Sequence, residues 1–258
     1  MSSQNRFGYE WQKYHEILPQ HEGQFLMWIY PLKPSDFLDK IVLDAGCGMG
    51  RNSYWACSYG AKGLTAFDYD TRSVEAASVN LKIFTQAEVL YQDIYNINYL
   101  DKFDIVFSIG VIHHLADPKQ AILNLYNSLK PGGKMLIWVY GDNLKSKIRL
   151  INMVRFFTSK LPIFISHFLT YFLSIPFYLY LKIISQRSEY FKLLKTFSFW
   201  HVHAIAFDQL IPDVANYWNK DDLHELMKIL PTGGEYIIHP VRGYSWSILI
   251  DKSINSHE

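Results

Sequence analysis

The chain has 258 residues, of which 49% are hydrophobic, and a formal net charge of +1 at pH 7. This length and composition are typical of one globular domain that buries a large core without disulfides or metals. Cys47 and Cys57 are the only cysteines, which excludes a disulfide framework and a cysteine-rich metal site and favours a reducing compartment. The first residues, MSSQNRFGYEWQKY, contain no apolar run. We therefore expect no secretion signal and a cytoplasmic location.

Residues 1–40 precede the first predicted strand and are rich in aromatic side chains. One or two helices are predicted here, and Pro31 and Pro34 close the segment. In one interpretation these aromatic side chains pack against the sheet. In the other, the segment is an N-terminal helical lid that covers a bound ligand. The candidate substrate-binding residues of such a lid are Tyr9, Trp11 and Tyr14.

The apolar run 41–45 breaks on three alternating glycines, and a helical pattern follows over 51–59. This order is typical of a buried strand that enters a tight turn and a helix whose N-terminal amides face a ligand. The glycines are Gly46, Gly48 and Gly50. Asp44, at the end of the strand, is predicted to point its carboxylate into the same crevice. The pattern predicts a nucleoside-cofactor site at the carboxyl edge of an α/β sheet.

The spacing of the glycines distinguishes between cofactors. In the dinucleotide fingerprint G-x-G-x-x-G, counted from Gly46, the third glycine would stand where this chain has Arg51, which disfavours a nicotinamide oxidoreductase. An acidic residue two positions ahead of Gly46 repels a pyrophosphate and suits a cofactor that carries a positive charge. S-adenosylmethionine (SAM) is such a cofactor.

Two further predicted strands lead to acidic residues. The apolar run 64–68 ends in Asp68, whose carboxylate can accept hydrogen bonds from both hydroxyls of a ribose. After a strand near 88–91, Asp93 could accept from an adenine amino group while Ile94 packs on the ring. The alternative for Asp93 is a solvated aspartate of a turn.

The next two strands complete the repeating pattern. The nearly continuous apolar run 102–110 is typical of a central parallel strand, and it ends in the sequence VIHHL. A helix begins at Asp117, the sequence KPGG stops it, and 134–140 is the fifth strand. Because strand and helix alternate at short spacing, the sheet is predicted to be parallel and doubly wound.

The runs VLDAGCGMG, AFD, QDI, FDIVFSIGVIHHLADP and LKPGGKMLIWVYG occur in this order and spacing. Together they resemble the class I SAM-dependent methyltransferases, in particular the branch whose fourth-strand motif ends in a His-His pair. The resemblance is close over 38–141 and continues over 217–252. It implies an α/β fold: a doubly wound, mostly parallel sheet of seven strands in the order 3-2-1-4-5-7-6, with strand 7 antiparallel and a helical insertion after strand 5.

The resemblance also implies which residues hold the cofactor SAM. Asp44 and the turn 46–50 would surround its methionine part, Asp68 would hold the ribose, and Asp93 and Ile94 the adenine. Ser108 would line the floor of the site. The full set of cofactor-binding candidates is Asp44, Gly46, Cys47, Gly48, Gly50, Asp68, Tyr69, Asp93, Ile94 and Ser108.

Four parts are predicted along the chain. They are an N-terminal helical lid (1–40), a SAM-binding Rossmann-like core (41–142), a basic and aromatic helical insertion (143–216), and the final helix and strands (217–258). Within the insertion, 143–200 carries nine basic side chains against one acidic and 14 aromatic residues. Its apolar centre is long enough to span a membrane. A single crossing would, however, separate the last strands from their sheet, and Pro162 and Pro176 break the run, so two shorter helices or a hairpin are expected.

Three interpretations of the insertion stay open. It is a cap that buries its own apolar faces over the active site, an interfacial element that meets an anionic membrane, or a helical dimer interface. The second interpretation does not exclude the first. Nucleic-acid binding is not expected, because the basic residues flank apolar helices and do not form a stripe with stacking platforms.

Methyl transfer requires an aligned acceptor and exclusion of water, and an oxygen or nitrogen acceptor must also lose a proton. His113 and His114 follow the fourth strand, where they either act in catalysis or make structural hydrogen bonds. Asp208 or His201 could orient or deprotonate the acceptor, and Tyr217 would form part of a substrate wall or of the core. His201 and His203 have the spacing of metal ligands on a strand, but no further ligands are evident, so no metal is predicted.

Two functional hypotheses follow. The first is a SAM-dependent methyltransferase that acts on an oxygen or nitrogen atom of a small or amphiphilic, lipid-linked molecule. The second is a catalytically inactive SAM-binding or membrane-associated partner subunit. For either, the expected partners are a small-molecule or lipid-like acceptor, an anionic membrane surface at 143–200 and a second copy of the chain. A cytoplasmic protein that is peripheral on the inner face of the membrane is expected.

Overall fold

A computed structural model of the chain describes residues 11, 13, 15–143, 145–158, 160–184, 189–208, 210, 212, 215–231 and 234–253. The strands are β1 (Ile41–Ala45), β2 (Gly63–Asp68), β3 (Ala87–Tyr91), β4 (Phe103–Ile109), β5 (Leu129–Tyr140), β6 (Gly234–Val241) and β7 (Ser245–Lys252). The helices are α1 (Gln20–Ile29), α2 (Arg51–Ser58), α3 (Thr71–Leu81), α4 (Pro118–Ser128), α5 (Lys145–Thr158), α6 (Ile163–Ile183), α7 (Glu189–Thr196), α8 (Phe199–Asp208) and α9 (Lys220–Met227).

The seven strands form one sheet in the order β3-β2-β1-β4-β5-β7-β6, which confirms the predicted topology. β1 to β5 pair in parallel, and β7 is antiparallel to both of its neighbours. The chain builds outward from β1 to β3 and then crosses to the other side of β1 to form β4. This reversal opens a crevice between the carboxyl ends of β1 and β4, where open α/β sheets bind their ligands.

Helices cover both faces of the sheet, as the alternating side chains of a strand require. Val42 and Leu43 belong to separate buried clusters on opposite faces. One cluster includes side chains from α1, α2 and α3, and the other includes side chains from α4 and α9. On the first face the ring of Phe25 lies 5.7 Å from that of Phe107. The N-terminal aromatics therefore include core residues of the sheet.

The fifth strand begins earlier than the sequence predicts. β5 starts at Leu129 and includes the KPGG sequence, with a register shift opposite Phe103 and Ile105. A Cβ atom on Gly133 would lie 2.8 Å from the carbonyl oxygen of Lys130, so the backbone here approaches too closely for a side chain. The glycines that indicate a helix stop thus permit an irregular strand start.

In the part of the chain that the structure describes, helices α5 to α8 lie between β5 and α9. α6 runs unbroken through Pro176, so the prediction of two shorter helices or a hairpin is wrong. Pro162 does end the preceding segment, since α6 begins directly after it. An internal proline costs a helix about 3 kcal/mol. Here the buried side chains of α6 lie on both sides of Pro176, from Ser166 to Leu181, and their packing holds the two halves in one helix. By length and composition alone, α6 could cross a membrane.

We call the part of the chain from α5 to α8 the helical region. It leaves the sheet and returns to it at one place. Gly141, directly after β5, forms a parallel bridge with Trp218, directly before α9. The backbone N–H of Trp218 donates to the carbonyl of Tyr140, and the N–H of Asp142 donates to the carbonyl of Trp218. The indole N–H of Trp246 donates to the same carbonyl at 2.9 Å. The two ends of the helical region are therefore joined at the carboxyl edge of the sheet.

Candidate functional site

The glycine turn after β1 is held against the end of β2. The backbone N–H groups of Gly46 and Cys47 both donate to the carbonyl of Phe67, each at 2.9 Å. Gly46 has a φ of 82°, and a Cβ atom there would lie 2.4 Å from a methyl carbon of Val111. Only glycine fits this backbone and this space. The thiol of Cys47 is buried, which raises its pKa well above the ordinary value and keeps it neutral.

Asp68 ties the end of β2 to the same turn. Its carboxylate accepts from the backbone N–H of Gly48 at 2.9 Å and from that of Asp70 at 3.0 Å. Burial raises the pKa of Asp68 to about 6, although these hydrogen bonds act in the opposite direction. Each carboxylate oxygen keeps a second lone pair. Asp68 lines the cavity described below and can still accept from ligand hydroxyls.

Three predicted cofactor residues do not line the cavity: Asp44, Gly50 and Ser108. The prediction that the carboxylate of Asp44 points into the crevice differs from the structure, because Asp44 accepts from the hydroxyl of Ser53 at 2.6 Å. Burial raises its pKa to about 7. Ser108 donates to the carbonyl of Ala45. These residues hold β1, β4 and α2 in place around the turn.

The side of the cavity beyond Asp68 is lined by Tyr69, Gln92, Asp93, Ile94 and Tyr95. Asp93 caps the turn that follows β3, since its carboxylate accepts from the backbone N–H of Tyr95 and from the side-chain amide of Asn96. Ile94 is buried and Tyr69 is half exposed. A carboxylate, an apolar side chain and an aromatic ring thus meet where the resemblance places the adenine.

Trp11 lies against the glycine turn. It is one of the lid candidates and lines the cavity, and its indole nitrogen lies 3.0 Å from the Cβ position of Gly48. The guanidinium of Arg51 lies 5.5 Å from the ring centre of Trp11 and 5.2 Å from that of Trp28. Gln24 and Trp28 of α1 also line the cavity. Two other predicted lid residues, Tyr9 and Tyr14, lie outside the described residues.

The cavity has a volume of about 740 Å³ and continues from the glycine turn into the helical region. Its far part is lined by apolar side chains of α5 to α8, namely Ile151, Phe177, Phe191, Leu194, Ile205 and Ala206. The wall of the cavity also includes polar side chains: His114, Tyr140, Tyr217, Arg242 and Tyr244. Burial raises the pKa of Tyr244 to about 12. One cavity therefore combines the glycine turn, several polar side chains and an apolar cleft.

The two histidines after β4 have different environments. His113 is fully buried outside the cavity wall, and its ring centre lies 4.0 Å from that of Tyr140. Burial, with the nearby charges of His114 and Arg155, lowers the pKa of His113 well below its usual range. His113 is therefore a neutral packing residue, and of the predicted pair only His114 can face an acceptor.

Tyr217, a candidate for a substrate wall or for the core, lies in the cavity wall. Its ring stacks on Tyr140 at 5.7 Å, and its hydroxyl accepts from the guanidinium of Arg155 at 3.1 Å. Arg155 is almost completely buried, with 6% of its surface exposed. A buried cation behind the tyrosine pair gives this part of the cavity a positive potential.

His201 and Asp208 belong to α8. His201 lies away from the cavity wall, packed between the rings of Phe197 and His21 at 5.7 Å each, which differs from the prediction of a substrate-binding role. On a helix, residues two apart point in different directions, so His201 and His203 share no face. The side chain of Asp208 lies outside the described residues. Among the side chains that the structure describes, no group of three or more His, Cys, Asp or Glu could hold a metal ion.

Several cavity residues are absent from the sequence-based prediction. Trp138 and Tyr140 end β5 at the carboxyl edge, so the rule that identifies Asp68 could have found them. Arg242 and Tyr244 lie in the turn between β6 and β7. Because β7 is antiparallel, this turn also lies at the carboxyl edge of the parallel strands. The residues of α6 to α8 that line the cavity carry no recognisable spacing.

Comparisons with known proteins agree with this geometry. Residues 43–137 match a family model described as a methyltransferase domain. The chain is 34% identical over 135 residues to a tRNA U34 carboxymethyltransferase of Campylobacter hominis, a match that covers 50% of this chain and 47% of that protein. The chain spans about half the length of the relatives that it matches in sequence.

Solved structures share the fold at low sequence identity. Magnesium protoporphyrin IX methyltransferase of Synechocystis PCC 6803, with bound SAH, gives a TM-score of 0.53 at 15% identity and covers 91% of this chain and 84% of that one. A SAM-dependent methyltransferase of Aquifex aeolicus gives 0.52 at 13% identity, over 88% and 92% of the two chains. Residues 43–137 of this chain therefore match a methyltransferase domain, and the chain shares the fold of SAM-dependent methyltransferases.

Proposed function

We propose that the protein transfers a methyl group from SAM to an oxygen or nitrogen atom of a small or amphiphilic, lipid-linked acceptor. The observation that carries the proposal is the continuous cavity, which joins the glycine turn to an apolar cleft. When bound, SAM supplies a methyl carbon that its sulfonium already activates. The task of the protein is to align the acceptor with that carbon and to exclude water.

The cofactor part of the cavity contains groups that suit SAM. The side-chain oxygen of Gln24 is buried and has no hydrogen-bond partner among the residues that the structure describes, so it can accept from the ammonium of the methionine part. Arg51 offers a guanidinium for the carboxylate of the same part. Asp68 would hold the ribose, and Asp93 with Ile94 the adenine. The acidic and basic groups of this half thus match the charges of SAM.

The other part of the cavity suits an acceptor with a polar head and an apolar tail. Phe177, Leu194 and Ile205 would contact the tail, while Arg242 and the pair of Tyr140 with Tyr217 would contact the head. His114 is the candidate for removal of a proton from the acceptor atom, and a positioned histidine contributes about 10² to 10⁴ to a rate. Asp208 stays a second candidate from the sequence.

The names of the relatives make tRNA a competing acceptor. The match to the relative from Campylobacter hominis covers half of this chain, and specificity resides in parts of a fold that vary from one protein to another. The basic residues of 143–200 flank apolar helices and do not form the stripe with stacking platforms that suits nucleic acid. We therefore propose a lipid-like acceptor in preference to a nucleic acid.

Other parts of the proposal come from the sequence. They are membership of the branch with the His-His motif, a peripheral location on the inner face of a membrane, and a homodimer. The alternative of a catalytically inactive SAM-binding subunit is less favoured, because the glycine turn and Asp68 are both in place. An inactive protein has no need of the polar side chains in the cavity wall.

The proposal is tested by radiolabelled methyl transfer from SAM to three separated pools: a lipid extract, bulk tRNA and water-soluble metabolites. We expect label in the lipid pool, and less of it at limiting SAM with an Asp68→Asn variant that calorimetry shows to bind SAM more weakly. Label confined to tRNA would replace the proposed acceptor. SAM binding without transfer to any pool would support the inactive subunit instead.

A further inference from the structure

The longest helix of the helical region turns its polar side inward. The buried residues of α6 include Ser166, Thr170 and Ser174, which are spaced four apart and form one stripe. This stripe faces α8, where the hydroxyl of Ser174 lies 2.8 Å from a ring nitrogen of His203. Amphipathic helices of proteins that contact only water show the opposite arrangement, with the apolar stripe buried.

The opposite side of α6 is apolar and exposed. Its residues are spaced four or seven positions apart, about one or two helical turns, and so form one face. Each is exposed over more than half of its surface: Phe164, Phe168, Phe172, Leu179 and Ile183. Three exposed residues of α5 are also apolar: Met153, Phe156 and Phe157. We call these eight residues the outer apolar face. The interpretation that the insertion buries its own apolar faces does not hold for it.

Cations are present near the outer apolar face. The ammonium of Lys160 lies 3.7 Å from the ring centre of Phe156, and that of Lys182 lies 5.0 Å from the ring of Tyr178 at the other end of α6. Arg149, Lys192 and Lys195 are exposed on the neighbouring helices α5 and α7. Over 143–200 the sequence has a single acidic residue. Aromatic and aliphatic side chains accompanied by cations suit an anionic lipid surface.

We propose that the outer apolar face docks on the surface of an anionic lipid bilayer, with α6 lying in the plane of the interface. A crossing by α6 would pull Ser174 away from His203 and Ser166 away from the carbonyl of Thr158, to which its hydroxyl donates at 2.8 Å. Large exposed apolar patches mark sites of interaction. Here the cations near the outer apolar face favour an anionic lipid surface over a second copy of the chain, because the surface of that copy would also be basic.

Docking brings the lipid close to the acceptor cleft. Phe177 lies on α6 and lines the cavity. A helix with its side chains is about 10 Å wide, so the cleft would lie within about one helix diameter of the lipid. Binding to the bilayer does not depend on methyl transfer, and it can be measured without SAM and without an acceptor.

The experiment is flotation of the full chain with vesicles of phosphatidylcholine alone or mixed equally with phosphatidylglycerol. We expect binding to the mixed vesicles that weakens in high salt. The double variant Phe168→Ser/Phe172→Ser should lower the partition coefficient at least about tenfold, since two exposed rings lose their contact with lipid. The matched control Leu100→Ser/Ile237→Ser changes two exposed apolar residues elsewhere and should bind like the wild type.

Charge is tested with a second pair of variants. Lys160→Gln/Lys195→Gln should reduce binding and its salt dependence, whereas Lys119→Gln/Lys220→Gln, at exposed lysines on α4 and α9, should not. Equal thermal unfolding curves show that each variant is folded. The proposal is overturned if the wild type does not float with anionic vesicles, or if the Phe168/Phe172 variant floats equally well. It is also overturned if sedimentation without lipid shows a dimer of the wild type that the Phe168→Ser/Phe172→Ser variant does not form, while the two proteins float equally well.

Discussion

Asp44 has a buried carboxyl group, and ionisation of a buried carboxyl group lowers the stability of the fold. It is 1% exposed and has one side-chain partner among the hydrogen bonds of the described residues, the hydroxyl of Ser53. Burial is the largest cause that raises its pKa from 3.8 to about 7, and the neighbouring charge of Asp68 adds to it. Replacement by asparagine keeps the shape and removes the ionisation. The variant Asp44→Asn therefore tests what this charge does to the stability of the fold.

The magnitude follows from the two pKa values. Between pH 3.8 and about pH 7, Asp44 keeps its proton in the native protein and loses it in the unfolded chain. The free energy of unfolding therefore falls as pH rises over this interval. The contribution of Asp44 is fully present below pH 3.8 and is lost as pH rises through about 7. From pH 5 to pH 8 the loss is about 2 to 3 kcal/mol. An unpaired amide in the variant adds a cost of about 1 to 3 kcal/mol that is the same at both pH values.

The assay is urea unfolding of both proteins, without SAM, at pH 5 and pH 8. We expect the wild type to lose about 2 to 3 kcal/mol more than Asp44→Asn over this interval. Asp68, whose pKa is also raised, titrates in both proteins and cancels in the comparison. Asp221→Asn changes an exposed acid at the start of α9 and should follow the wild type. If the free energy of unfolding falls by the same amount from pH 5 to pH 8 in the wild type and in Asp44→Asn, ionisation of Asp44 does not destabilise the fold.

Further predictions concern the cavity. Gly46→Ala should destabilise the protein by about 1 to 2 kcal/mol from backbone strain alone, and more from the contact with Val111, as measured by thermal unfolding. Asp68→Asn should weaken SAM binding about tenfold in calorimetry. The wild-type affinity should also fall as pH drops through about 6, where this carboxylate takes up a proton, and a flat wild-type profile would contradict its role. His114→Gln should lower kcat at least about 10² with an unchanged Kd for SAM, whereas a change in KM alone would make His114 a wall residue.

The sequence predicts those parts of the fold that depend on residues close together along the chain. The glycine turn requires positive φ angles at Gly46, Gly48 and Gly50, and each has one. Apolar runs and strand-end acids place β1 to β4, and the resemblance supplies the order of the strands. Asp68 and Ile94 reach the cavity because parallel strands end at one edge of the sheet.

What sequence did not predict depends on long-range packing. Pro176 is typical of a helix break, and the packing of the buried side chains of α6 against neighbouring helices keeps the helix whole. Asp44 does not reach the cavity because its carboxylate accepts from the hydroxyl of Ser53. The two residues are nine positions apart in the sequence, and no local pattern reveals this contact. His201 points toward His21 because its segment is a helix and not a strand. The walls formed by Phe177 and Ile205 arise from three helices whose relative placement no local pattern encodes.

The joint between Gly141 and Trp218 makes the helical region a separable module. Because its two ends already meet, a short linker could replace 143–216 at a small entropic cost, since loop closure depends only weakly on length. Such a deletion would leave each strand of the sheet with its hydrogen-bonded neighbour. The same joint would accept a different helical segment, so one catalytic sheet could be redirected to new acceptors by exchange of a single insert.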